Sequence, residues 1–436
     1  MLPDGFLIGA ATAAHQVEGN NVHSDLWALE QMEHSSYVEP SLDAMDHYRR
    51  YAEDIALLGS AGLDAYRFSL EWARIEPVEG QFDDGAIEHY RDVIRCCKTH
   101  GVEPIVTLMH FSSPFWLTEH GGWESDDTPR RFERYVEKIV SALGDDLGYV
   151  CTINEANIGF QIARITELFK RQAQAAQVKA ASHDVSGSAA ESNLQMGMNL
   201  QKMLEVRQLQ EKECEQVFGC AVPQTFTSAR SKHGDEIVME SHERARRIIR
   251  RVAPHVRVGL TLSLHDIVAL PGGEQLAHKE WDEEYLHYLP VIEADDFLGV
   301  QNYTRSLVGP DGDQPAPEGA ELTQAGYEFC PQALEGVIRS VAENFSAELM
   351  VTENGIATDD DSRRVAFISE ALSGVDRCCA DGIPVSGYMH WSLMDNFEWQ
   401  LGFAMHFGLV HVDRETQCRV PKPSLEHLGS FAKRDH

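Results

Sequence analysis

The chain has 436 residues, 69 acidic and 37 basic, for a formal net charge of −32 at pH 7. A field of that sign repels phosphate backbones and anionic lipid, so it argues against nucleic acid and membrane surfaces as partners and favours a neutral substrate over a phosphorylated one. With 43% apolar residues the chain is long enough for a large core, as one big α/β domain or as two or three smaller ones.

The N-terminus, "MLPDGFLIGAATAAHQ", has no basic region and carries Asp4 ahead of a short apolar run, so it does not read as a signal peptide. No run in the chain approaches membrane-spanning length. The cysteines number nine, include the adjacent pairs Cys96–Cys97 and Cys378–Cys379, and show no CxxC spacing. That pattern fits reduced thiols in a cytoplasmic protein, with neither a disulfide framework nor a zinc site.

Eight β-type runs follow one another: "FLIGAAT" (6–12), "AYRFSLEW" (65–72), "PIVTLMH" (104–110), "YVCTINEA" (149–156), "RVGLTLSL" (257–264), "DFLGVQNYT" (296–304), "ELMVTENG" (348–355) and "VSGYMHWSL" (385–393). Amphipathic stretches separate them. In 44–58, Tyr48, Tyr51, Ile55 and Leu58 recur at helical spacing before Gly59 and Gly62; in 86–99, Ile87, Tyr90, Ile94 and Cys97 do the same before Gly101. Eight strands alternating with helices predict a single (β/α)8 TIM barrel over residues 1–436.

Residues 161–240 break the rhythm, with no Trp or Tyr and an excess of Gln, Ala, Ser, Glu and Lys. "ELFKRQAQAAQVKAA" and "NLQKMLEVRQLQEKECEQV" read as helices joined through "SHDVSGSAAES". The thin apolar content makes this a helical insertion after strand four, over the entrance to the site or mediating self-association into a homo-oligomer.

Polar and aromatic residues collect at the C-terminal ends of the runs, which is the rim where barrel active sites form. They are His15 and Gln16 after the first run, Arg67 and Glu71 in the second, and His110 in the third. Asn154 and Glu155 follow in the fourth, Asn302 and Tyr303 in the sixth, Glu353 and Asn354 in the seventh, His390 and Trp391 in the eighth. Any one strand-end acid could instead be the N-cap of the next helix. Glu155 and Glu353, on strands four and seven, would face each other across the ring. Two carboxyls across a cleft can split a glycosidic bond, one protonating the departing oxygen and the other attacking or activating water. Arg67 would keep one ionised while burial keeps the other protonated. The tail "HWSLMDNFEWQLGFAMHFGL" (390–409) sets Trp391, Phe397, Trp399, Phe403 and Phe407 around Asp395, Asn396 and Glu398, a composition suited to stacking sugar rings and binding paired hydroxyls.

With these motifs the chain resembles the family 1 glycoside hydrolases, retaining β-glucosidases and β-galactosidases on a (β/α)8 fold. "FLIGAATAAHQVEG", "YRFSLEWARIEP", "PIVTLMHFSSPFWL", "TINEA", "DFLGVQNYTR", "VTENG", "HWSLMDNFEWQLGF" and "HFGLVHVD" fall in the family's order along nearly the whole chain. The resemblance implies that Glu155 is the acid/base and Glu353 the nucleophile, with Arg67 and Tyr303 bonded to the nucleophile. It implies a glycone subsite of Gln16, His110, Asn154, Trp391, Glu398, Trp399 and Phe407, with Gln16 and Glu398 reading the sugar 4-hydroxyl. No cofactor and no metal is expected, and the partner is a small unphosphorylated β-glycoside. Departures from the family pattern are Ala156 for proline, Gln301 for asparagine, Phe111 for tryptophan and His406 for arginine. The other classes weighed are a non-catalytic sugar-binding barrel, which would have lost one carboxylate, and a metal-dependent lyase, which needs a rim lysine that the sequence does not supply.

Overall fold

A computed structural model describes residues 2–167 and 195–432. Eight parallel strands close a ring, each paired with its neighbours in chain order and the last with the first. They are β1 (Leu7–Ala11), β2 (Ala65–Ser69), β3 (Glu103–Thr107), β4 (Tyr149–Cys151), β5 (Arg257–Ser263), β6 (Phe297–Gln301), β7 (Glu348–Asn354) and β8 (Val385–Trp391). Every expected run contributes one strand. The ring is a (β/α)8 barrel, and its strands are nearly continuous apolar runs because helices cover the outer face and side chains fill the centre.

The intervening helices include α1 (His47–Ala61), α2 (Asp84–Thr99), α3 (Thr128–Leu143), α4 (Leu200–Val217) and α5 (Lys232–Val252). In α2 the anticipated stripe Ile87, Tyr90, Ile94 and Cys97 is buried, and Asp83 caps the helix by accepting from the amides of Gly85 and Ala86. In α1 the stripe is only half right. Ala44 and Asp46 have φ of 44° and 49°, left-handed values that delay the helix to His47. Ile55 and Leu58 face the wall, while Tyr48 and Tyr51 stay half-buried against His89.

After β4 the chain is helical over 158–167. Most of "ELFKRQAQAAQVKAA" and all of "SHDVSGSAAES" lie outside the described residues. The last expected helix is α4, capped by Asn199, and Cys214 is its one buried residue. Helix α5 starts inside the 161–240 stretch and packs its length against α3 as a barrel helix. Two features had no sequence expectation: a small sheet of Asp266–Ala269, Arg305–Gly309 and Gly312–Gln314, and a hairpin of Val410–Val412 with Arg419–Pro421. Strands this short carry too few alternations to stand out from loops. Among the described residues, no helix is long and apolar enough to cross a membrane.

Candidate active site

At the C-terminal rim a pocket is lined by Gln16, His110, Glu155, Tyr303, Glu353, Trp391, Glu398, Trp399 and Phe407, all anticipated from sequence. Phe111, Gln195 and Tyr327 also line it and were not anticipated as site residues. Arg67 and Asn154, both fully buried, form the layer beneath.

Arg67 organises that layer. Its Nη1 donates to Glu353 Oε1 at 2.5 Å, its Nη2 to Asn154 Oδ1 at 2.5 Å, and its Nε to Thr107 Oγ1 at 3.0 Å. The Tyr303 hydroxyl donates to the other Glu353 oxygen at 2.6 Å. Burial leaves the Glu353 carboxyl raised above its usual value, and Arg67, Tyr303 and Gln301 offset only part of that. Charge-assisted bonds from a guanidinium and a phenol to its two oxygens favour the ionised form.

Glu155 is held differently. β4 ends at Cys151, so Glu155 sits on the turn beyond it with φ of 43°, a left-handed value costly for a glutamate. Neighbouring ladders hold that turn: Asn154 N donates to Met109 O at 2.9 Å, Glu155 N to Thr261 Oγ1 at 2.9 Å, and Ala156 N to Thr261 O at 3.0 Å. A proline at 156 could not make the last bond. Burial pushes the Glu155 carboxyl well above the usual carboxylate range, the charge on Glu353 adds to the push, and Arg67 offsets only part of it. Among the described residues, its Oε2 has no hydrogen-bond partner. The two acids are thereby set apart, with Glu155 favouring its protonated form more strongly than Glu353 does.

Glu398 completes the acidic set. Gln16 Nε2 donates to its Oε2 at 3.3 Å and to Phe397 O at 2.8 Å. Burial and the charge of Glu353 push its carboxyl up to about 8, against opposing bonds from the Gly197 amide and Gln16. A carboxyl raised from 4.5 in the unfolded chain to about 8 when folded stabilises the protein fully below pH 4.5 and loses that contribution as pH climbs through 8. Glu398→Gln removes this loss. Its melting temperature is expected to overtake the wild type between pH 5 and 8, by up to roughly 5 kcal/mol in stability. Thermal melts across that range check it, and parallel curves would refute it.

The aromatic wall comes partly from the tail. Trp391 and Trp399 flank the His110 ring at 5.7 and 6.3 Å, both near parallel. Phe407 meets Tyr303 edge-on at 6.1 Å. Phe397, also expected here, is buried in the core against Tyr37, and Phe403 packs beside it. Asp395 turns away to Lys422 at 2.8 Å and to the Gly408 amide at 2.9 Å.

Other rim residues serve the scaffold. Glu71 caps the turn Trp72–Ile75 and accepts from Ser112 at 2.6 Å, the N-cap alternative realised. Asn302 and Asn354 bond backbone carbonyls, and Asn354 accepts from Tyr388. His390 is buried beside Tyr388, and His15 stacks behind Trp399 at 5.8 Å while bonding Asn21.

Known proteins place this geometry. The sequence model of glycosyl hydrolase family 1 matches residues 1–436. A β-glucosidase from Agrobacterium sp. (strain ATCC 21400) is 29% identical over 487 residues, spanning 99% of this chain and 95% of that one. Two solved structures are closer in sequence. β-Glycosidase BGL167 is 42% identical with a TM-score of 0.85 over 99% of this chain and 97% of its own. The apo β-glucosidase 1317 is 41% identical with a TM-score of 0.86 over 98% of both. A whole-chain family match, a closed barrel and a rim pocket with paired acids converge: the chain belongs to glycosyl hydrolase family 1 and is a glycoside hydrolase.

Proposed function

We propose that the protein is a retaining β-glycosidase, acting on terminal, non-reducing, unphosphorylated β-D-glycosides by double displacement. β-Glucosides are its main substrates, with β-galactosides and β-fucosides as side substrates. The observation that carries the reading is the contrast between the two acids. Glu353 is clamped by Arg67 and Tyr303, while Glu155 is buried with an oxygen that, among the described residues, has no partner.

Glu353 attacks the anomeric carbon from below the ring while Glu155 protonates the departing oxygen. A covalent glycosyl-enzyme results, and Glu155, now ionised, takes a proton from the water that releases the sugar. Arg67 and Tyr303 hold the attacking oxygens and receive the carboxylate back as the ester breaks. Gln16, His110, Asn154 and Glu398 bind sugar hydroxyls, with Asn154 on the 2-hydroxyl, against Trp391, Trp399 and Phe407. Among the described residues, no lysine or arginine lines the pocket to bind a phosphorylated glycone. No step calls on a cofactor or metal. The chain works as one catalytic barrel in the cytoplasm, and the 161–240 insertion governs the leaving-group side or self-association.

A panel of aryl β-glycosides, with proton NMR of the first-formed sugar, tests the scheme. Two inversions must return the β-anomer, as carboxyls about 5–5.5 Å apart require. An initial α-anomer would overturn double displacement.

A further inference from the structure

The short segment Gln195–Asn199, which leads into α4, is tied to both sides of the pocket. On one side, Gln195 Oε1 accepts from the backbone amides of Tyr303 at 2.5 Å and Thr304 at 3.3 Å. Its Nε2 donates to Ser263 Oγ at 3.3 Å and Leu264 O at 3.2 Å. One buried amide thus joins the ends of β5 and β6 where their ladder has stopped, directly behind the phenol that holds Glu353. On the other side, Gly197 lies against Glu398. The Gly197 carbonyl accepts from Gln400 N at 3.0 Å, and Gln400 Oε1 accepts from Asn199 N at 2.8 Å.

Gly197 is there because nothing larger fits. A Cβ at this position would lie 2.5 Å from Glu398 O and 2.9 Å from Glu398 Cγ. Real Cβ atoms do not approach so closely, so a side chain at 197 must displace the loop that carries Glu398. Gln16 Nε2 bonds that carboxyl at 3.3 Å, at the long end of the hydrogen-bond range. The close packing of Gly197 against the Glu398 backbone and stem is therefore a principal restraint on it.

We infer that Gln195–Asn199 is a positioning strap, with Gly197 setting where Glu398 meets the sugar and Gln195 setting the Tyr303 backbone. Gly197 and Gln195 are positioning residues acting through Glu398 and Tyr303. The strap runs on into α4, so glycone recognition is coupled to that helix. The inference rests on the proposed role of Glu398 in reading the 4-hydroxyl.

A double-mutant cycle on the full chain tests it, read with an aryl β-glucoside and its 4-deoxy analogue. Gly197→Ala should raise KM for the glucoside about tenfold with kcat little changed, since a misplaced carboxyl loses its bond to a hydroxyl. The 4-deoxy substrate, which lacks that hydroxyl, should be nearly unaffected. In a Glu398→Ala background, Gly197→Ala should add almost nothing. Gln400→Leu, which loosens the strap without a new clash, should give a smaller change of the same pattern and serves if Gly197→Ala does not fold. Multiplicative effects in the cycle, or equal losses on the two substrates, would overturn the strap and leave the site assignment standing. If Glu398→Ala does not change the ratio between the two substrates, Glu398 does not read the 4-hydroxyl and the strap inference falls with it.

Discussion

Glu353→Gln is expected to lower turnover of every β-glycoside by on the order of 10⁵-fold while the barrel stays folded. Glutamine keeps the shape, with its oxygen accepting from Arg67 and its NH2 able to donate to the Tyr303 hydroxyl oxygen, but an amide does not form the glycosyl ester. The partners explain why the fold survives. Arg67 retains its bonds to Thr107, Asn154 and the Thr352 carbonyl, so its guanidinium is not left without acceptors. Rates with an aryl β-glucoside, on protein of verified mass and unchanged circular dichroism, decide the matter. Wild-type activity in this variant would remove Glu353 from the mechanism.

The second large effect separates the two acids. A general acid contributes about 10²–10⁴-fold, and less when the leaving group departs readily without a proton. Glu155→Ala should therefore form the glycosyl-enzyme from a dinitrophenyl β-glycoside and then stall, because nothing activates water. Azide needs no deprotonation, so it should restart turnover and give the β-glycosyl azide after a second inversion. Glu353→Ala should give the α-glycosyl azide, because azide then attacks the substrate directly. The opposite pairing of anomers would mean that the roles of Glu155 and Glu353 are exchanged.

Much of this site could be read from the chain because a barrel converts a position in sequence into a position on the rim. Each buried parallel strand is a contiguous apolar run, and the residues that follow it must surface at the same end of the ring. That logic reached Gln16, His110, Glu155, Glu353 and Trp391. It did not separate Glu353, in the pocket, from Asn354, which supports the backbone behind it. Strand alternation would sort such neighbours, but the ladders of β7 with β6 and β8 shift register after Val351, so parity is lost where it matters. Phe111 has φ of 68°, another turn that alternation does not follow. Gln195 and Tyr327 arrive on long connections, where composition says nothing about destination. Gln195 in particular sits in a stretch whose Gln and Ser content resembles any solvated surface.

Arginine has five donors and no acceptor, and that asymmetry propagates well past Arg67. Because Arg67 donates to Asn154 Oδ1, the Asn154 amide has one permitted orientation, and Gln301 Nε2 points at the same oxygen from 3.1 Å. Asn154 Nδ2 must then donate, at 3.0 Å, to His110 Nε2, which has to be the lone-pair nitrogen of a neutral ring. Burial and the Arg67 charge keep that ring neutral by holding its pKa well below the usual histidine value. On the far side, Gln301 Oε1 accepts from Thr261, whose oxygen accepts in turn from the Glu155 amide. One residue that can only give hydrogens has thus assigned their direction around the floor of the cavity. A sugar hydroxyl arriving there meets dipoles that need no turning, because their reorganisation was completed once, during folding, and is not repeated at each turnover.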